Sequence, residues 1–256
     1  MSADGFSCRV WAMARHNVVL LSRDPGQMFG YTVVPLLMMI ALRPIYLSHG
    51  DATAGTLQAT VGPMVLFSLI TLNVIGHSML NERTWHTWNR VRATPASSAE
   101  LLLGKCVPFY LMLIVQQAII LMCSRFAFGL RIAGIGALTA TLIMMLAWSG
   151  AVLALGALLS TVVRSHGQLN TITDVGAFLV TVVGGGLTPT AAMPSWMRLI
   201  APYSPGYWAI DGYRGAITGQ HLAALVHPVG ILVVIMAVAG AAAVIAATGR
   251  STRDMP

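Results

Sequence analysis

Six apolar runs, each near the length that a helix needs to cross a bilayer, constrain this chain more than any other feature. A helix that rises about 1.5 Å per residue crosses a hydrocarbon core of about 30 Å in about twenty residues. The runs are Met28 to Leu47, Thr60 to Leu80, Leu101 to Cys123, Ile135 to Val163, Leu169 to Leu187 and Ala223 to Ala247. We therefore predict an all-α integral membrane protein with six transmembrane helices in a single domain, residues 1–256.

The composition supports a lipid environment. Charged residues make up 9% of the chain and hydrophobic residues 56%, whereas a soluble domain carries about 25% charged residues. The net charge is +7, but the fifteen basic residues are strung between the apolar runs rather than gathered on one face, so we expect no nucleic acid partner. The three cysteines form no metal-binding or disulfide motif. We therefore predict that membrane lipid surrounds this chain.

The basic residues also predict the topology. An even number of spans leaves both termini on one side, and the side richer in Lys and Arg is normally cytoplasmic. Ten basic residues lie on the side of the termini: Arg9, Arg15, Arg23, Arg83, Arg90, Arg92, Lys105, Arg164, Arg250 and Arg253. Five lie on the other: Arg43, Arg125, Arg131, Arg198 and Arg214. We predict a multi-pass protein of the inner (plasma) membrane with both termini in the cytoplasm.

The segment before the first run is amphipathic. At 100° per residue, Trp11 and Leu21 share one face of a helix while Arg9 and Arg23 share the other, and Pro25 then ends it. This pattern predicts an N-terminal interfacial helix on the membrane surface. The alternative is a basic tail that only orients the first span.

The segment between the second and third runs has an aromatic and cationic character. Trp85, Trp88 and Arg92 fall on one side of a short helix that Pro95 ends. Such a ridge outside the bilayer suits a protein partner. Tryptophans beside a span are also common as interfacial anchors, which is the alternative interpretation.

At these residues the sequence resembles the permeases of type-2 ABC transporters. The likeness rests on Glu82, then Thr87, Trp88, Arg92, Ala93, Thr94 and Pro95, followed by Leu102-Leu103-Gly104-Lys105, with His86 where the family usually has glycine. Further motifs match in order and spacing: Arg23-Asp24-Pro25, Leu155 to Ser160, Gly184-Gly185-Gly186 to Pro189, Met193 to Trp196, Pro205-Gly206-Tyr207 and Asp211 to Arg214. The likeness covers nearly the whole chain and is closest to permeases of daunorubicin-type drug exporters.

The resemblance implies a half-transporter that moves a hydrophobic or amphiphilic compound (drug, lipid or glycolipid) out of the cytoplasm or inner leaflet, as in drug efflux and antibiotic resistance. It implies a cytoplasmic coupling helix that seats in a separate ABC ATPase subunit, present in two copies, and that includes Glu82, Trp85, Thr87, Trp88, Arg92, Thr94 and Pro95. It also implies a dimer with a second permease subunit, identical or related.

The nucleotide-binding chemistry is predicted to lie on that partner. Around Gly104-Lys105 the chain has Ala99 where a phosphate-binding loop would have its first glycine, and Cys106 where the Mg²⁺-binding hydroxyl belongs. We therefore expect no cofactor in this chain, no ATPase site and no enzymatic activity of its own. ATP and magnesium would be bound by the partner subunit.

About 35 residues separate the fifth and sixth runs, too many for a simple turn. The glycines loosen the end of the fifth helix and the prolines prevent its continuation. The resemblance implies an outer re-entrant helical hairpin here, with Gly185, Pro189, Pro194, Trp196, Tyr207 and Arg214 as its marker residues. An ordinary external loop with interfacial aromatics is the alternative.

Asp174 is the one carboxylate within the six runs. A charge at membrane depth is expensive and therefore suggests function, but a position near the cytoplasmic start of the fifth helix favours a structural role through the helix dipole and Arg164. His77 is expected to be a hydrogen-bonded packing residue. An ion-coupled secondary transporter is the alternative function, although it would need charges in several spans. An intramembrane enzyme would need a Ser–His pair or paired acids, which the runs do not offer.

Overall fold

The computed structural model describes residues 25–48, 51–84, 98–163 and 165–251, and this part of the chain is helical without any strand. The helices are α1 (Pro25–Leu47), α2 (Ala52–Ile70), α3 (Leu72–Thr84), α4 (Ser98–Ala127), α5 (Ile135–Val162), α6 (His166–Val183), α7 (Ser195–Ile200), α8 (Pro205–Thr218) and α9 (Leu222–Ser251). Two short 3-10 turns, Thr190–Ala192 and Ala201–Tyr203, flank α7. The predicted all-α class is confirmed for these residues, whereas the N-terminal interfacial helix lies outside them.

Five described segments are long and apolar enough to cross a membrane. They are Phe29–Leu47, Ala52–Ser78, Cys106–Ala127, Ile135–Val162 and Ala223–Ala246. The second of them combines α2 with most of α3, because only Thr71 separates these two helices. The fifth predicted run forms α6, which does not join the five because its first half carries polar residues.

Two helix boundaries differ from the sequence prediction for local reasons. The Asp51 side chain accepts a hydrogen bond from the Thr53 amide at 3.0 Å, so α2 begins at Ala52 instead of Thr60. At the other boundary α6 ends at Val183 instead of Leu187. Gly185 there has a φ of 91°, a conformation that stops the helix and that glycine adopts without strain.

The loops gather at two opposite ends of the helical bundle. At one end, the Tyr46 hydroxyl at the end of α1 donates to the Leu187 carbonyl at 2.5 Å, and the Ala133 amide before α5 donates to the Ile217 carbonyl at 3.2 Å. We call this the hairpin end. At the other, called the turn end, Leu80, Val163 and Leu169 form a separate buried cluster.

Helix α5 lies at the centre of the bundle, where it contacts α3, α4, α8 and α9. Its Trp148 and Met144 are fully buried, as is Tyr213 of α8. In contrast, α1, α6 and α9 each expose a broad apolar face, which suits contact with lipid or with another subunit.

Candidate functional site

Glu82 and the predicted hairpin residues lie toward opposite ends of the bundle. Glu82 is in the last turn of α3, beyond Leu80 of the turn end. The other proposed coupling residues lie outside the described residues: Trp85, Thr87, Trp88, Arg92, Thr94 and Pro95. The hairpin residues Gly185, Pro189, Pro194, Trp196, Tyr207 and Arg214 all lie between α6 and α9 at the hairpin end.

The segment between α6 and α9 is a compact set of short helices. Pro189 and Pro194 cap the first 3-10 turn and α7, and Pro205 begins α8, positions where a missing amide proton has no cost. The Trp196 side chain on α7 is 62% exposed, while the indole nitrogen of Trp208 donates to the Pro202 carbonyl at 2.8 Å. The segment is therefore folded and helical.

Glycines let the backbone of this segment approach the spans closely. A Cβ added to Gly62 of α2 would lie 1.9 Å from the Gly186 carbonyl oxygen. One added to Gly206 of α8 would lie 2.5 Å from the Val180 oxygen, and one added to Gly184 would lie 2.6 Å from the Gly206 carbonyl carbon. Only glycine fits these contacts without a backbone shift.

Arg214 is the centre of a polar cluster beneath this turn. Its Nη2 donates to the Gln58 Oε1 and, at 3.1 Å, to the Gly185 carbonyl. The amide of buried Gln58 in turn donates to the carbonyls of Gly185 and Gly186 at 2.9 and 2.8 Å. Burial lowers the pKa of the guanidinium, while nearby Asp211 opposes that shift. An arginine stays charged across all accessible pH values, so this cluster holds a permanent, half-buried cation.

A second set of polar contacts links helices inside the bundle, and the sequence analysis did not find it. Gln116 of α4 donates to the Tyr31 carbonyl at 2.7 Å, and neighbouring Gln117 donates to Ser149 of α5 at 2.8 Å. The Tyr213 hydroxyl donates to Gln117. Two adjacent glutamines within an apolar run were the available signal, because buried amides need partners. These contacts tie α1, α4, α5 and α8 together.

The turn end carries a histidine pair that joins α3 to α6. The Nδ1 atoms of His77 and His166 are 2.6 Å apart, and the His77 Nε2 lies 2.7 Å from the Asn170 Oδ1. A nitrogen distance that short means that the nearly parallel rings meet edge to edge and do not stack face to face. Because an amide oxygen only accepts, His77 Nε2 is the donor and a single proton lies between the two Nδ1 atoms. His77 is thus hydrogen-bonded, as expected.

Asp174 also bonds to α3, which differs from the expected arrangement. Its Oδ1 accepts a hydrogen bond from the Asn73 amide at 2.7 Å. Since α6 begins at His166, Asp174 lies in the third turn, beyond the reach of the helix dipole. Arg164, the other expected partner, lies outside the described residues. The helix dipole therefore does not explain the position of Asp174, whereas a contact with Arg164 stays a prediction.

The helical architecture and its five candidate spans define a multi-pass membrane protein. The profile of the ABC-2 type transporter family matches residues 9–218, from before α1 to the last residue of α8. The chain belongs to the ABC-2 type transporter family and is a membrane permease of an ABC exporter. A comparison with curated proteins finds no match to the chain. The family assignment was predicted from the motifs and is confirmed; the likeness to daunorubicin-type members stays a prediction.

Proposed function

We propose that this chain is half of an exporter that moves a hydrophobic or amphiphilic compound outward, driven by a separate ATPase. Membership of the ABC-2 type transporter family supports the class of exporter. One structural observation supports the proposed coupling to the ATPase. Glu82, the described member of the predicted coupling set, and the glycine-rich hairpin lie at opposite ends of one bundle, joined by the nearly continuous rod of α2 and α3. Gln58 near the start of that rod holds the hairpin turn, and Glu82 lies in its last turn.

The proposal includes six membrane crossings, with α6 as the fifth in chain order. Leu169 at its start lies in the buried cluster with Leu80 and Val163 at the turn end. Gly186, just beyond its last residue, contacts Gly62 at the hairpin end. Eighteen helical residues span about 27 Å at 1.5 Å per residue. That length is close to the thickness of a hydrocarbon core, which supports α6 as a crossing despite its polar half.

The rod gives a physical route for coupling. A partner that closes on ATP has to move the spans through an element with two arrangements. Helix α3 is hydrogen-bonded to α6 through His77 and Asn73. A shift of the last turn of α3 would therefore be transmitted directly to α6. We propose that Glu82, Trp85, Thr87, Trp88, Arg92, Thr94 and Pro95 form the surface on which the ATPase acts.

The remaining parts of the proposal follow from the family and the charge pattern. The exporter would contain two ATPase subunits, which bind ATP and magnesium, and a second permease subunit, identical or related. It would lie in the inner (plasma) membrane with both termini in the cytoplasm. The hairpin between α6 and α9 would dip into the outer leaflet, and drugs, lipids and glycolipids are the proposed cargo classes.

The test begins with ATP hydrolysis by purified components in lipid. The chain alone should show none, because its sequence offers no glycine-rich loop with the lysine and hydroxyl that hold a nucleotide with magnesium. Addition of the cognate ATPase subunit should give a complex that hydrolyses ATP. Hydrolysis by the chain alone, or failure of the two subunits to associate, would contradict the proposal.

The coupling surface is tested by co-purification. The double variant Trp85→Ala/Trp88→Ala should weaken association with the ATPase, because aromatic anchors at interfaces often contribute about 2 kcal/mol or more each. Trp196→Ala is the matched control, since this exposed tryptophan lies at the hairpin end. If the inserted double variant binds the ATPase as tightly as the control, these tryptophans are membrane anchors only.

Glu82→Ala and Trp88→Ala should each lower cellular export of cargo while the protein still inserts. Both residues belong to the proposed coupling surface, so ATP hydrolysis by the assembled complex should fall or become uncoupled from transport. Drug accumulation in cells and ATPase activity of the complex are the two measurements. Unchanged export in both variants would argue against the assigned surface.

A further inference from the structure

Three arginines meet at the loop between α4 and α5, at the hairpin end of the bundle. The Nη2 of Arg43 on α1 donates to the Phe128 carbonyl, just beyond the end of α4, at 3.3 Å. The Nη1 of Arg125 in the last turn of α4 donates to the Leu130 carbonyl at 3.2 Å, and Arg131 follows directly in the chain. We call these three arginines the basic corner. They are three of the five basic residues on the side of the chain opposite the termini.

The loop that carries the basic corner is held firmly. The amides of Phe128 and Leu130 both donate to the Ser124 carbonyl, at 3.2 and 3.1 Å, and the glycine between them has a φ of 69°, a common way to end a helix. The Arg43 guanidinium also lies 5.2 Å from the centre of the Phe128 ring. The two carbonyls that accept from Arg43 and Arg125 are two residues apart, hence within about 7 Å of each other. Both guanidinium groups are therefore fixed around one short loop.

The positive charge of the basic corner is not balanced by an acid. Among the described residues none of its three arginines is paired with a carboxylate. A guanidinium has several N–H donors, and Arg43 and Arg125 each use one of them on the loop. Of the Arg43 nitrogen atoms only Nε is buried without a partner, so Nη1 keeps accessible surface, and both Arg125 and Arg131 are exposed. An anion with several oxygen atoms would satisfy these accessible donors and the charge together.

An exposed apolar stripe on α4 leads to the basic corner. Its members recur every three or four residues and are 37% to 80% exposed: Leu111, Val115, Ile119, Met122 and Phe126. That spacing places them on one face of the helix. Arg125 follows Met122 by three residues, so it lies at the hairpin end of the same face. The surface thus combines cations at one end with about 22 Å of hydrocarbon contact along the helix.

This combination favours a lipid over a soluble anion. Helix α1 runs beside α4 in the same direction, since Tyr31 and then Arg43 are bonded to Gln116 and then Phe128, and it exposes an apolar face of its own. An arginine that only extends its head toward the headgroups needs neither a second guanidinium nor a fixed loop. Clustered arginines above an apolar surface match an amphiphile with an anionic head.

We propose that Arg43, Arg125 and Arg131 bind the phosphate of an anionic membrane phospholipid, whose acyl chains lie along the exposed stripe of α4. The accessible guanidinium N–H groups donate to the phosphate oxygens, as charge-assisted hydrogen bonds. The lipid lies in the leaflet at the hairpin end, which is the outer leaflet in the topology proposed above. It is a resident lipid that links α1 to the loop after α4, and it is not the transported cargo.

The test compares two photoreactive lipids that differ in the charge of the headgroup. Phosphatidylglycerol is anionic and phosphatidylcholine is zwitterionic, and each probe carries the same diazirine on one acyl chain. The full-length protein is placed in phosphatidylcholine nanodiscs with a small, equal fraction of either probe and is irradiated. After digestion with pepsin, mass spectrometry measures the lipid adducts on residues 111–126. We expect about tenfold more adduct from the phosphatidylglycerol probe.

Variants show whether the basic corner causes this preference. Arg125→Gln/Arg131→Gln removes two exposed charges and should make the two yields equal. Arg125→Lys/Arg131→Lys keeps both charges and should retain the preference. The matched control is Arg198→Gln, which removes an exposed cation on α7 at the same end of the bundle and should leave the preference unchanged.

Several results would overturn the proposal. Equal yields in the wild type would do so, as would a preference that survives in the double Gln variant. Loss of the preference in Arg198→Gln would mean that any cation at this end suffices, and loss in the double Lys variant would mean that the charge is not the cause. Glycerol phosphate has the headgroup chemistry without acyl chains and should not reduce the adducts. If it does, the basic corner binds a soluble phosphate instead of a lipid.

This inference requires that the chain spans a membrane, but it does not depend on the proposed transport function. The basic corner lies at the end of the bundle opposite Glu82, so the double Gln variant should still associate with the ATPase. A lipid preference without any association of the ATPase with the wild type would contradict the transport function alone. Association of the ATPase without a lipid preference would contradict only the lipid site.

Discussion

The hairpin end and the turn end of the bundle are held together by different kinds of contact. At the hairpin end, backbone atoms contact each other across glycines, and the buried Gln58 and half-buried Arg214 side chains bond to carbonyl groups. At the turn end, His77 and His166 contact each other as partly exposed side chains beside the buried cluster of Leu80, Val163 and Leu169. Backbone contacts break only when a helix moves, whereas exposed side-chain contacts exchange with water.

This difference indicates which part of the permease is fixed. The hairpin end is packed like a protein interior, where small displacements meet steep repulsion. The histidine contact at the turn end can change partners at low cost because water replaces its lost hydrogen bond. A transporter that receives force at the turn end would therefore move there first and use the hairpin end as its rigid part.

The largest expected effect is that of Gly62→Ala. The added Cβ would lie 1.9 Å from the Gly186 carbonyl oxygen, so the backbone of α2 or of the hairpin must shift. We expect a loss of about 3 kcal/mol or more in unfolding free energy, seen as a lower thermal unfolding midpoint in detergent. Gly176→Ala is the control, because its Cβ meets no atom within 4 Å. Similar stability of the two variants would mean that the hairpin end is not tightly packed.

Next in size is Arg214→Ala. This change removes donors from the Gln58 Oε1 and the Gly185 carbonyl, which are buried, and should lower the unfolding free energy by about 2 kcal/mol. The control is Arg198→Ala on the exposed side of α7, which should stay within about 0.5 kcal/mol of wild type. The measurement is the thermal unfolding midpoint of both variants. Equal midpoints would contradict a structural role for the polar cluster of Arg214 and Gln58.

The smallest effect is expected from His166→Ala at the turn end. The lost hydrogen bond to His77 is replaced by water, so the unfolding free energy should fall by only about 0.5 kcal/mol. His221→Ala, an exposed histidine before α9, provides the reference for a change without structural consequence. If His166→Ala lowered the unfolding free energy as much as Arg214→Ala, both ends would be equally rigid. The proposed difference between the hairpin end and the turn end would then be wrong.

Periodicity and composition predicted the helices but not the contacts between them. The run Ile135 to Val163 matches α5 almost residue for residue. A long apolar run with few helix-ending residues allows few alternative boundaries. The end of α6 was missed by four residues, since only the backbone geometry shows that Gly185 adopts a positive φ. The contact of Arg214 with Gln58 joins residues 156 positions apart. A single sequence carries no signal for such a pair.

The central claim is that the two ends of the bundle lie on opposite sides of the membrane, and reporter fusions test it directly. A reporter enzyme that is active only outside the cytoplasm should be silent when fused after Ser98 or Ser165, near the turn end. It should be active after Arg131 or Gln220, at the hairpin end. Equal signals after Ser165 and Gln220 would show that α6 does not cross, and reversed signals at all four sites would contradict the topology and the position assigned to the coupling surface.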